Sequence, residues 1–152
     1  MQPAQAAAPS TLRVRKARRS DAAAVSGLLG ELGYVCSTSE AVRRLAALGR
    51  KSDQVFVAVD GKRVVGMVAL HFSFMLHTEG RWCRVTALVV TESHRRRGVG
   101  ATLLRHAEQC ALAGGAWCVE LTCAERRGEA HTFYTRQGYT ERRTRFFKAL
   151  QE

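Results

Sequence analysis

Between Trp82 and Gln109 a strand-like run, a glycine turn and a helix-like run follow one another without a break, and this succession constrains the chain more than any other feature. The segment WCRVTALVV, 82–90, is rich in branched apolar residues and reads as a largely buried strand. Val99, Leu103, Leu104, Ala107 and Ala111 recur at three- and four-residue spacing and predict a helix over 98–113, stopped by Gly114-Gly115. Between the two, Gly98 and Gly100 remove side chains that would hold a ligand off the backbone. The first helical N–H groups have no intrahelical partner, and with the helix dipole they favour an anion. Arg95, Arg96 and Arg97 add three positive charges at the mouth of the turn. A diphosphate suits such a place; an ordinary tight turn is the plainer reading. Neither G-x-G-x-x-G nor G-x-x-x-x-G-K-[ST] occurs, so the dinucleotide fingerprint and the P-loop do not apply.

Punctuation along the chain predicts the remaining elements. Leu12 to Lys16 alternates apolar and basic residues as a first strand. Ser20 is expected to cap a helix with Val25, Leu28, Leu29 and Leu32 on one face, ending at Gly33. Ser37 and Glu40 form a capping box for a shorter helix carrying Val42, Leu45 and Leu48, ending at Gly49. Strands over 54–59 and 63–74 are joined by the hairpin turn Asp60-Gly61. A strand near 118–122, a helix over 128–137 closed by Gly138, and strands near 139–142 and 145–149 complete the order β-α-α-β-β-β-α-β-α-β-β.

The segment MQPAQAAAPS, 1–10, has no patterned face and reads as a disordered tail before a single domain over 11–152. With 152 residues and 46% apolar content, one core can bury roughly two-thirds of the unfolded surface. No run of about 20 apolar residues and no signal-peptide pattern occurs, so the expected location is cytoplasmic, with no membrane partner. Five cysteines, at 36, 83, 110, 118 and 123, form no C-x-x-C pair, which argues against a disulfide framework or zinc finger. His71, His77, Glu79 and Cys83 fit no standard zinc spacing either, and no metal is expected.

Arg95-Arg96-Arg97-Gly98-Val99-Gly100 matches the pattern [QR]-x-x-G-x-[GA], and Phe133-Tyr134 with Gly138-Tyr139 matches F-Y-x-x-x-G-[FY], in that order. On these motifs the chain resembles the GCN5-related N-acetyltransferases over about Leu12 to Leu150. The runs GMVALHFSFMLH, AHTFYTRQGY and RFFKAL are similar to the small-amine, aminoalkylphosphonate-type branch. The resemblance implies an α/β (α+β) fold, with a mixed, mostly antiparallel sheet of about six or seven strands and about four helices, splayed between the fourth and fifth strands. It implies acetyl-CoA as co-substrate and transfer of acetyl to the primary amine of a small molecule by direct attack on the thioester.

The same resemblance distributes roles. The cofactor would be held by Leu88, Val89 and Val90 on the fourth strand, by the turn from Arg95, Arg96, Arg97 and Gly98 to Val99, Gly100, Ala101 and Thr102, and by His131 and Tyr134. The Leu88 amide, expected at a strand bulge, would polarise the thioester carbonyl. Tyr134 would reprotonate the thiolate, since a phenol with a pKa of about 10 stays protonated at neutral pH. Tyr134 as plain packing, and His131 as a surface or packing histidine, remain open.

The general base departs from the pattern. Arg84 stands where many relatives carry glutamate, and Ala87 where the narrower branch carries an acid. Glu79, His77 and Glu120, or a water relay, are left as candidates. Arg127 replaces a frequent asparagine, while Ala130 and His131 match the narrower branch.

A net charge of +11 would suit nucleic acid, but the basic residues are scattered over different elements and no base-reading motif is present, so no nucleic-acid partner is expected. Polyanionic coenzyme A accounts for part of the excess. Few acids are present to line a cleft for a polycation, so an anionic or neutral small amine is the expected acceptor, with Arg84, Arg126 and Arg127 placed to steer a phosphonate or carboxylate. A protein amine stays open as acceptor, and a homodimer as assembly. A non-catalytic acyl-CoA sensor or scaffold is the alternative that the missing glutamate supports, and a basic nucleic-acid-binding domain is a third.

Overall fold

Near-continuous apolar runs, such as 55–59 and 64–70, give this chain strands that are buried on both faces, and the computed structural model describes them within residues 11–49, 52–123, 128–142 and 146–150. The expected tail over 1–10 lies outside the described residues. The chain divides between Thr122 and Cys123 into two compact units.

The first unit holds a sheet of five strands in chain order: β1 (Arg13–Lys16), β2 (Asp53–Asp60), β3 (Arg63–Phe74), β4 (Arg81–Val90) and β5 (Ala116–Leu121). The first three pairings are antiparallel and β4 with β5 is parallel, so the sheet is mixed and mostly antiparallel. The parallel pair needs a crossover, supplied by α3 (Val99–Ala113). Helices α1 (Ala22–Leu32) and α2 (Thr38–Ala47) lie between β1 and β2 in the chain.

Parity sorts the two faces. Val57, Val59, Met67 and Val89 form one core with Val25 and Leu28 of α1 and Ala41 of α2. Phe56 turns to the opposite face, where its ring meets His106 of α3 at 4.5 Å. All five residues of the α3 stripe, Val99, Leu103, Leu104, Ala107 and Ala111, are buried. Gly66 is required where β3 meets α3: a Cβ there would stand 3.0 Å from Leu103 Cδ1 and 3.0 Å from the Val89 carbonyl oxygen.

The local signals account for most boundaries. Ser37 Oγ accepts from the Glu40 amide at 3.2 Å, and Glu40 Oε2 accepts from the Ser37 amide at 2.7 Å, which is the capping box. Gly33, at φ 101°, ends α1. Ser20 does not cap α1, contrary to expectation. It lies in a short 3-10 turn, Arg19–Asp21, and Asp21 precedes the helix. The Asp21 carboxylate accepts from the Arg18 amide at 2.7 Å and from Arg15 at 2.8 and 2.9 Å. That carboxylate reaches none of the first amides of α1, so the helix starts without a side-chain cap, and the charge-assisted pair with Arg15 holds the 3-10 turn instead.

The expectation of about six or seven strands also needs correction, since five strands form among the described residues. Residues 139–142 and 146–149 are not strands, and Arg145 lies outside the described residues. Alternation supplies only half of a strand; the other half is a ladder partner, and Phe146 and Phe147 instead stand exposed.

The second unit, 123–152, contains α4 (Gly128–Arg136). Gly138, at φ 88°, closes it, and the Tyr139 amide returns to the Tyr134 carbonyl at 3.0 Å. Among the described residues no helix is long and apolar enough to cross a membrane.

Candidate active site

The parallel pairing of β4 with β5 runs from Arg81 opposite Ala116 to Val85 opposite Leu121. Beyond it β4 continues to Val90 with no β5 partner among the described residues. This is the splay expected between the fourth and fifth strands. A bulge at Thr86 sits where the pairing ends: Ala69 faces Ala87 and Leu70 faces Val85, so Thr86 has no register partner on β3, though its Oγ1 donates to the Ala69 carbonyl at 3.3 Å. The bulge therefore lies two residues before Leu88, not at Leu88 itself.

Two hydrogen bonds fix which way the free stretch points. The Thr91 amide donates to the Val65 carbonyl at 2.8 Å, toward β3. The Val90 carbonyl accepts from Arg95 Nε at 3.0 Å, away from β3. Since backbone groups alternate sides along a strand, the N–H groups of Leu88 and Val90 face the side that β5 leaves open, and that of Val89 faces β3. The Val90 carbonyl is engaged by Arg95.

The turn into α3 is tightly specified. Arg96 sits at φ 60°, rare for an L-residue, and Gly98 at φ 78°. The Thr102 amide closes the first helical bond on the Gly98 carbonyl at 3.0 Å, with Thr102 Oγ1 on the same oxygen at 2.9 Å. The Arg95 amide bonds the Glu92 carbonyl at 3.2 Å. Both ends of the expected 95–102 amide run are thus engaged within the turn. The amides of Val99, Gly100 and Ala101, which precede the first intrahelical bond, have no partner among the described residues. The side chains of Arg95, Arg96 and Arg97 are exposed beside them.

Sequence reasoning missed the residue that anchors this turn. Glu31 of α1 accepts from Thr91 Oγ1 at 2.8 Å, from the Glu92 amide at 3.0 Å and from Arg95 Nη2 at 3.1 Å. Nothing local in the α1 sequence marks it, because all its partners lie 60 or more residues away. His94 adds a tie from the turn to the β2–β3 hairpin through Asp60 at 3.4 Å. The Asp60 carboxyl is held below its usual value chiefly by the hydroxyl of Thr11.

A polar row crosses the face of the sheet that carries α1 and α2. Asp53 on β2 lies opposite His71 on β3, His71 opposite Arg84 on β4, and Arg84 opposite Glu120 on β5. His71 Nδ1 is 2.7 Å from Asp53 Oδ1. Arg84 donates to Glu120 Oε1 from Nε at 3.0 Å and from Nη2 at 2.7 Å. Arg84, considered as an anion-steering residue, is therefore already paired with a carboxylate, and Glu120, considered as a base, is tied to a guanidinium. The His77 ring lies 6.3 Å from that of Trp82. Arg126 and Arg127 lie outside the described residues.

Tyr134 and His131 are on α4, in the second unit, three residues apart and hence on one helix face. The Tyr134 ring stands 5.2 Å from Phe133 and 6.0 Å from Tyr139. The first unit thus brings together Leu88, Val90 and the open α3 amides, and the second carries the phenol.

The acetyltransferase (GNAT) domain family matches residues 51–141. The chain is similar to the aminoalkylphosphonate N-acetyltransferase of Salmonella typhimurium, 39% identical over 94 residues. That match covers 62% of this chain and spans 61% of the relative's length. In fold it is similar to a transcriptional regulator from Bacillus halodurans, with TM-score 0.83 and 19% identity over 91% of this chain and 99% of that one. It is likewise similar to glucosamine-6-phosphate N-acetyltransferase from Arabidopsis thaliana, with TM-score 0.78 and 20% identity over 93% and 99% of the two chains.

Proposed function

The chain belongs to the GNAT acetyltransferase family, and we propose that it transfers acetyl from acetyl-CoA to the primary amine of a small molecule. The observation that carries this reading is the pairing of unbonded Val99–Ala101 amides with the open edge of β4 beyond Val85. The α3 amides and the guanidinium groups of Arg96 and Arg97 suit a diphosphate, and the outward N–H groups of Leu88 and Val90 suit an extended chain bearing amides. Acetyl-CoA supplies an activated acetyl group and a thiol leaving group. The Leu88 amide donates to the carbonyl oxygen where negative charge develops, and the Tyr134 hydroxyl returns a proton to sulfur.

The acceptor class we favour is a small amine carrying an anionic group, of the aminoalkylphosphonate kind named for the 39% identical relative. The region 11–152 acts on this reading as one transferase domain.

Thermal unfolding with and without acetyl-CoA, followed by free-thiol release with 2-aminoethylphosphonate, lysine, spermidine and kanamycin, tests the proposal. Acetyl-CoA at about a hundred times its dissociation constant should stabilise by about 2.7 kcal/mol. Gly100→Trp should abolish that stabilisation, and Tyr134→Phe should slow thiol release. Stabilisation without thiol release from any amine would favour an acyl-CoA sensor. Absence of both defeats the reading.

A further inference from the structure

Acetyl transfer requires the amine to shed a proton, yet the family's glutamate position is Arg84, and Arg84 is held by Glu120 at 2.7 Å. Resting on the transferase reading, we propose that His71, oriented by Asp53, is the general base for the incoming amine.

The Asp53 carboxylate is fixed at both oxygens. Oδ1 faces His71 Nδ1 at 2.7 Å, and Oδ2 accepts from Ser52 Oγ at 3.0 Å. Ser52 is itself anchored, its carbonyl accepting from the Phe72 amide at 2.7 Å. A carboxylate on Nδ1 selects the tautomer with its proton there and leaves the lone pair on Nε2. Nε2 has no partner among the described residues, and 44% of the His71 side chain is exposed, against 20% of Asp53. An acceptor atom is thus presented to solvent from a ring whose other nitrogen is locked.

Placement agrees with the role. His71 lies directly across the β3–β4 ladder from Arg84, one strand from the position it replaces. From that pair to the pair of Val68 with Leu88 is three ladder steps along the strands, roughly 10 Å, a span filled by the reacting amine and a bridging water. In the step itself an ammonium N–H bond breaks and its proton passes through the water to Nε2, leaving a neutral amine and an imidazolium. The freed lone pair forms the C–N bond as the C–S bond breaks. The second proton on the attacking nitrogen leaves through water while the departing thiolate takes one up, giving a neutral amide and a thiol, and the imidazolium returns its proton to solvent. Asp53 is a positioning residue that acts through the ring. Glu120 lacks this freedom, because its Oε1 receives two bonds from Arg84.

The test measures free-thiol release by the full chain with acetyl-CoA and the four amines named above. His71→Ala should lower turnover by about 100-fold or more. Its thermal stabilisation by acetyl-CoA should stay unchanged, and added imidazole should restore part of the rate. His71→Gln, which can still donate to Asp53, keeps the sheet contact and should lose turnover equally. Asp53→Asn should reduce kcat by about tenfold with KM for acetyl-CoA unaltered. Turnover within threefold of wild type in both His71 variants would overturn the base and leave the transferase reading standing. A wild-type chain that releases no thiol with any of the amines would overturn both.

Discussion

Gly98→Ala isolates the backbone geometry on which the α3 turn depends. A Cβ at Gly98 would meet nothing within 4 Å, so no clash opposes the substitution. Its φ of 78° is left-handed, which costs an L-residue roughly 1–2 kcal/mol. For a chain of this size each kcal/mol moves the unfolding midpoint by about 2–4 °C, so the variant should unfold about 2–8 °C lower. Gly27→Ala is the matched control. Gly27 also has open space around it, but it lies inside α1, where alanine should stabilise by about 0.5–1 kcal/mol. Gly98→Asn should recover part of the loss, because asparagine tolerates the left-handed region. Scanning calorimetry of the three variants reads the signs directly. Equal midpoints for Gly98→Ala and Gly27→Ala would refute the claim that φ, and not space, demands glycine in this turn.

Other outcomes follow from the same structure. Leu103→Ala removes a side chain with 0% exposure between α3 and the sheet and should cost about 2–5 kcal/mol in urea unfolding. The Asp21 carboxyl is held below its ordinary value first by its hydrogen bond with Arg15, so its contribution is complete above the usual carboxylate range and is lost as pH falls through the lowered value. Asp21→Asn should therefore cost about 2 kcal/mol at pH 7, and the gap to wild type should close in acid titrations below the usual carboxylate range. Burial lifts the Cys83 thiol to about 11, so iodoacetamide at pH 8 should leave Cys83 unalkylated in the folded chain and modify it after unfolding, as read by mass spectrometry.

Where the determining physics is local, the sequence was legible. The α3 stripe lies within one helix, and its five residues are the ones that the helix buries. β3 runs from Arg63 to Phe74, where the Asp60-Gly61 turn and the alternation set it. The Ser37–Glu40 box forms because both partners lie within three residues. Ser20 failed because a short 3-10 turn precedes α1, so that Asp21 and not Ser20 stands before the helix, its carboxylate turned back to Arg15 and the Arg18 amide. The closing segments failed because a strand needs a partner that its own residues cannot name.

Sequence by itself determined the α/β layout, the glycine turn ahead of α3 and the motifs that mark the family, since periodicity, φ preference and helix-end chemistry act over a few residues. Tertiary structure alone decided the point at which β5 releases β4, just after Val85, that Glu31 braces the turn from another helix, and that Asp53, His71, Arg84 and Glu120 line up across four strands. Each of these depends on strand register, and register is fixed by burying whole faces at once, a property of the assembled sheet that no single segment carries.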